Sequence, residues 1–193
     1  MSTDSHELTI HVPSWVDDVV KSHTGGFATL EDQLRLTIEL SRVNVEHGGG
    51  PFGAAVFAGS LLVAAGVNCV LSSGLSIAHA EIVALMRAQR VLGGQHGQPE
   101  GPYTLVSSAE PCCQCFGALI WSGMDQLVYG ANRADVEAIG FDEGPKPERW
   151  AEVLRGKGIA VIEELCRTEA CGPLEQYAQR GGPIYGLRHP NVR

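Results

Sequence analysis

The chain has 193 residues, 44% of them hydrophobic and 19% charged, enough apolar material for one compact α/β domain with a core and a pocket. A formal net charge of −8 without any Lys/Arg run argues against a polyanionic partner such as nucleic acid. The longest apolar runs, such as Leu61–Ala65 and Phe116–Trp121, are too short to cross a bilayer, and the polar opening Met1–Ile10 is unlike a signal peptide, so a cytoplasmic location is expected.

Residues 1–26 read as an N-terminal extension in which Trp15, Val16, Val19 and Val20 could form a short docking turn. Thr29, three residues before Asp32, is a relative of the capping box that opens helices. Leu30, Leu34, Ile38 and Val45, flanked by Leu36, Leu40 and Val43, give the following helix a broad apolar face, and Gly48-Gly49-Gly50-Pro51 ends it. Ala54–Ala58 and Leu61–Val70 are apolar runs separated by Gly59-Ser60, which predicts a hairpin. A second helix over about 78–92 turns Ile82, Val83, Leu85, Met86 and Val91 inward and stops at Gly93-Gly94.

Tyr103–Ser107 reads as a strand, Cys112–Ser122 as a helix and Gln126–Ala131 as a strand. Asp135–Gly140 and Glu148–Gly156 follow as short helices, Ile159–Glu163 as the fifth strand and Thr168–Arg180 as the last helix. Helix–strand alternation in the second half calls for parallel strands covered by helices. The expected architecture is a three-layer α/β/α sandwich around a five-stranded mixed sheet. The domain would span 27–180, with 181–193 as a tail hinged at Gly181-Gly182-Pro183.

The chemistry concentrates in His79-Ala80-Glu81 and Pro111-Cys112-Cys113-Gln114-Cys115. Six cysteines is an even number, but the crowding of Cys112, Cys113 and Cys115 suits a metal better than disulfides in a chain of this size. Cys112 and Cys115 project from one helical face, and a helix N-terminus favours the thiolates that zinc needs. With His79 they make three ligands, which leaves a fourth position open, as catalytic zinc sites do. Glu81 lies close enough to act as general base and then acid for a water whose pKa the metal lowers to about 7. A closed structural site would have to recruit His47 or His96 as a fourth ligand. A thioredoxin-like redox pair would not need the distant H-x-E.

H-x-E followed by P-C-x-x-C is the known signature of zinc-dependent base deaminases. Several further stretches resemble bacterial guanine deaminases of the cytidine-deaminase-like superfamily. They are Gly50-Pro51-Phe52-Gly53-Ala54-Ala55-Val56, Gly66-Val67-Asn68, Ala78-His79-Ala80-Glu81-Ile82, Ser108-Ala109-Glu110-Pro111-Cys112, Gly117-Ala118-Leu119-Ile120-Trp121-Ser122-Gly123 and Ala138-Ile139-Gly140-Phe141-Asp142-Glu143. The resemblance runs from about Gly48 to Trp150, with a tail match at Ile184-Tyr185. It implies the cytidine-deaminase type of sandwich, zinc as cofactor, a homodimer, and hydrolysis of guanine to xanthine and ammonia, with zinc-bound hydroxide attacking C2.

It further implies that Asn68 and the Ala80 N–H hold the base, with Phe52, Trp121 and Phe141 as aromatic walls. Glu143, with Asp142 as the fallback, would carry a proton to the departing amine. Tyr185 would belong to a tail that closes the pocket or exchanges between subunits. Ammeline and other amino-triazines are the nearest alternative substrates, and a cytidine deaminase is a further one. A tRNA adenosine deaminase would want a basic surface. A zinc-stabilised interaction module would have no use for an open position or for Glu81.

Overall fold

The computed structural model describes residues 9–93 and 102–185. In chain order it contains α1 (Trp15–Ser22), α2 (Leu30–Glu46), β1 (Gly53–Ala58), β2 (Leu61–Val67), α3 (Val70–Ser73), α4 (Ala80–Val91), β3 (Tyr103–Ala109), α5 (Cys113–Trp121), β4 (Gln126–Ala131), α6 (Arg133–Ala138), α7 (Trp150–Gly156), β5 (Ala160–Ile162) and α8 (Arg167–Gln179).

The strands form one sheet in the order β2-β1-β3-β4-β5. β1 is antiparallel to both its neighbours, and β3, β4 and β5 run parallel. Side chains alternate between faces with period two. In β1, Ala54 and Val56 enter one core, while Ala55 and Phe57 enter the other. The first core is covered by α4, α5 and α7 through Ala84, Leu85, Ala88, Leu119 and Leu154. The second is covered by α1 and α2 through Val16, Leu34, Leu36 and Leu40, with α8 packing on α2 and β4. Each fully buried leucine stabilises this arrangement by about 1.5–3 kcal/mol. The result is the expected three-layer sandwich, and among the described residues no helix is long and apolar enough to cross a membrane.

Local chemistry explains the boundaries. Thr29 Oγ1 accepts the Asp32 N–H at 3.1 Å and Asp32 accepts the Thr29 N–H at 3.2 Å, a complete capping box at the start of α2. Asn132 and Asp135 build the same device for α6, which therefore starts two residues before the position read from sequence. The N-terminal docking turn is the two-turn helix α1, with Val16 fully buried and the Trp15 ring stacked on His47 at 4.9 Å. β2 is shorter than the run Leu61–Val70, because Asn68 Oδ1 accepts the Val70 N–H at 3.1 Å and turns the chain into α3. α4 lies directly against β2: a Cβ on Gly66 would stand 2.6 Å from the Ala84 backbone nitrogen. His96 and the tail beyond Tyr185 lie outside the described residues.

Candidate active site

The three expected ligands come together at the N-terminal ends of α4 and α5. His79 is the N-cap of α4 and Cys112 the N-cap of α5, both with extended backbone rather than inside the first helical turn. Cys115 lies at the third position of α5 and is fully buried. Cys112 Sγ stands 3.4 Å from His79 Nδ1, and Cys115 Sγ stands 3.6 Å from the same nitrogen. Two ligands about 2.05 and 2.3 Å from a tetrahedral zinc are separated by about 3.6 Å, so these spacings fit one such cation held through Nδ1. Among the described residues this is the one group of three His, Cys, Asp or Glu side chains with that proximity.

Electrostatics prepare the donors. The Cys115 hydrogen bond, helped by His79, draws the Cys112 thiol down to about 4, whereas its bond to Cys112 and burial push Cys115 up. The two sulfurs thus share one proton, which a divalent cation would displace. The first N–H groups of both helices have no intrahelical acceptor and add partial positive charge beside the thiolates. Glu81, in the first turn of α4, is buried, and burial followed by the Cys112 charge raises its pKa. A carboxylate poised in this way exchanges protons more readily near neutrality.

A cavity opens beside the cluster, lined by Phe52, Asn68, His79, Glu81, Glu110, Cys112, Phe141, Asp142, Glu143 and Tyr185. It has about 60 Å³ of room for the centre of a water molecule. One water needs about 10–15 Å³ on that measure, so the cavity takes only a small molecule. Phe52 and Phe141 meet edge to face at 5.2 Å, and Phe141 and Tyr185 do so at 5.0 Å. Tyr185 reaches the cavity in its own chain past Gly50, where a Cβ would lie 1.7 Å from the tyrosine oxygen.

Asn68 is pinned: its Oδ1 serves Val70, and its backbone oxygen accepts from Asn44 Nδ2 at 3.0 Å. Its turn role and its place in the cavity wall coexist, leaving the Nδ2 protons as the donors it can offer. Ala80 is buried at the first position of α4, where its N–H is among those free of an intrahelical acceptor.

Glu143 is 6% exposed, and its Oε2 has no hydrogen-bond partner among the described residues. Burial, then the Cys112 and Glu81 charges, push its pKa up to about 8. Asp142 lies at the rim, exposed, and its Oδ1 accepts the Gly144 N–H at 2.6 Å, a turn-forming bond. The Tyr185 hydroxyl is likewise buried without a partner among the described residues, and burial raises its pKa well above the usual value, so it stays a donor.

Trp121 must be corrected as an aromatic wall. It is 83% exposed and does not line this cavity. Cys112 begins α5 and Trp121 ends it, and nine residues of helix put about 13 Å between them. Sequence reading also missed Lys146. Its ammonium is 2.5 Å from Glu110 Oε1 and 2.6 Å from the Pro111 carbonyl, and both side chains of this ion pair are buried. The acidic partner stood in plain view in Glu110-Pro111-Cys112, but the cation lies 36 residues away in an irregular loop.

The family model of the cytidine and deoxycytidylate deaminase zinc-binding region matches residues 28–131. A guanine deaminase of Bacillus subtilis is 36% identical over 114 residues, spanning 58% of this chain and 71% of the relative. The solved guanine deaminase from Nitrosomonas europaea superposes with a TM-score of 0.83 at 42% identity, covering 92% of this chain and 100% of that one. A protein solved in complex with 8-azaguanine gives a TM-score of 0.84 at 42% identity, covering 93% and 100%. The chain therefore belongs to the zinc-binding cytidine and deoxycytidylate deaminase family, in its guanine deaminase branch.

Proposed function

We propose that this protein hydrolyses free guanine to xanthine and ammonia. One observation carries the reading: the small aromatic-walled cavity beside the metal ligands holds two buried polar atoms without partners among the described residues, Glu143 Oε2 and the Tyr185 hydroxyl. Buried polar groups rarely stay unpaired, so both call for polar groups on a bound molecule. The relatives named guanine deaminase, and the 8-azaguanine bound to one of the similar proteins, supply the class of that molecule.

Bound zinc would supply a Lewis acid that makes water nucleophilic near neutral pH. The remaining roles fall to side chains. Phe52 and Phe141 together form an apolar wall against the planar ring, while Asn68 Nδ2 and the Ala80 N–H orient its polar edge. Glu81 takes a proton from the attacking water and passes it to the ring nitrogen next to C2. Glu143, protonated near neutrality, gives its proton to the exocyclic amine, so that the C2–N bond breaks to release ammonia; the proton remaining on the former water oxygen then leaves it, which forms the xanthine carbonyl and restores Glu143 to its acid form. Tyr185 covers the cavity and leaves little room for a ribose. Asp142 orders the loop that carries Glu143.

A deamination screen of free bases, nucleosides and triazines with the purified protein tests this. Ammonia release from guanine and none from nucleosides is expected, and activity confined to nucleosides would overturn the substrate while sparing the metal site. Ammeline is the second reading, since its amino-substituted ring carries the same kind of polar edge. The net charge of −8 disfavours a tRNA substrate. We also propose a cytoplasmic homodimer, with 27–180 as the deaminase unit and the segments before and after it as extensions. The exposed Trp121 and Ile77 offer apolar area for a second copy, which sedimentation would detect.

A further inference from the structure

Phe141, Asp142 and Glu143 sit in a stretch, residues 141–147, that has no helix or strand to hold it. Its placement depends on how it is tied, and one carboxylate ties both the helix that leads into it, α6, and its own far end. Before the stretch, Arg133, the first residue of α6, donates its N–H to Glu110 Oε2 at 3.0 Å. At the end, the Lys146 ammonium meets Glu110 Oε1 at 2.5 Å and the Pro111 carbonyl at 2.6 Å. Between them, the Cys113 N–H donates to the Glu143 carbonyl at 2.9 Å. The Lys146 ammonium also sits 4.8 Å from the Trp150 ring centroid, and its side chain is 1% exposed.

We infer that Glu110 and Lys146 form a clasp that positions Glu143 against the metal ligands without touching the reacting atoms. Glu110 borders the cavity, yet each of its oxygens is committed to one end of the 133–146 segment. Stability alone is a poor reason for the pair, because replacing a buried ion pair with apolar groups is often neutral or stabilising. Geometry is a better one. The clasp joins the loop of the second carboxyl to the residues that immediately precede Cys112, so the Glu110 carboxylate, together with the Cys113–Glu143 backbone bond, sets the distance between proton carrier and metal ligand. Lys146 and Glu110 are therefore positioning residues, an inference that rests on the reading of Glu143 as the second proton carrier.

The test is a double-mutant cycle on the zinc-loaded protein with guanine, reading kcat, KM and zinc content for Lys146→Met, Glu143→Gln and the double variant. A misplacement of about 1 Å can cost on the order of 100-fold. Lys146→Met is expected to lower kcat by about 10- to 100-fold while KM moves less than about threefold and zinc content stays unchanged. In the Glu143→Gln background the same change should cost nothing further, because there is no carboxyl left to position. Wild-type kcat in Lys146→Met, or its full loss multiplied onto that of Glu143→Gln, would overturn the clasp. Full activity in Glu143→Gln alone identifies instead a failure of the reading on which it rests. If Lys146→Met does not fold, Glu110→Gln/Lys146→Met removes both charges together, and a near-normal kcat in that folded variant would refute the inference.

Discussion

Replacing Glu143 with Gln separates catalysis from stability. The two side chains have nearly the same shape, but Gln cannot give up a proton, and proton transfer by a positioned group contributes about 10²–10⁴-fold. Turnover on guanine should fall by that order. Stability should move the other way. The folded-state pKa is raised from 4.5 to about 8, so the folded protein holds a proton that the unfolded chain releases. Stability from this group is intact below about pH 4.5 and declines as pH rises towards 8, where the buried carboxylate is charged. At 1.36 kcal/mol per pH unit the cost at pH 8 is on the order of 5 kcal/mol, an upper bound that a bound cation would reduce. Thermal unfolding of the metal-free proteins should therefore find Glu143→Gln more stable than the parent at pH 8 and equal to it at pH 4.5. Near-normal turnover, or a variant less stable at pH 8, would refute the reasoning.

Glu81→Gln should abolish turnover while zinc content by elemental analysis remains that of the parent, because Glu81 is not one of the three ligands. Loss of the metal along with activity would contradict its role as proton carrier. Tyr185→Phe removes a hydroxyl that has no partner among the described residues, so melting temperature should hold while KM for guanine rises by up to about tenfold, one hydrogen bond's worth. An unchanged KM would leave the ring alone responsible for any effect of this residue. Gly66→Ala puts a methyl group 2.6 Å from the Ala84 nitrogen, which α4 can relieve only by moving, and overpacking of this kind costs about 1–3 kcal/mol. Because α4 begins beside His79, zinc affinity should weaken together with the melting temperature.

The sequence showed most clearly what depends on local spacing. His79-x-Glu81 and Cys112-x-x-Cys115 are short-range patterns at two helix starts, so the meeting of those two helix ends brings His79, Cys112 and Cys115 into the cluster with Glu81 beside it. The strands were legible because an apolar run can bury both faces of a strand, as β1 does with Ala54 and Val56 against Ala55 and Phe57. What was not legible depended on partners distant in sequence or on a single side chain. The Asn68 bond to Val70 ended β2 inside a run that remains apolar. Trp121 belongs to an apolar helix, and hydrophobicity alone does not say that this end of it faces out. The pairing of Lys146 with Glu110 required the loop to return across the end of β3, which no periodicity records.

The claim that matters most is that three protein donors hold the cation and leave one place open to solvent. X-ray absorption at the zinc edge of the metal-loaded protein tests it directly. Two sulfur neighbours at about 2.3 Å and two lighter ones at about 2.0–2.1 Å are expected, one of the lighter ones from His79 and the other from solvent, the latter shifting when a guanine analogue is added. A third sulfur, or two imidazoles in a shell that no analogue disturbs, would contradict it.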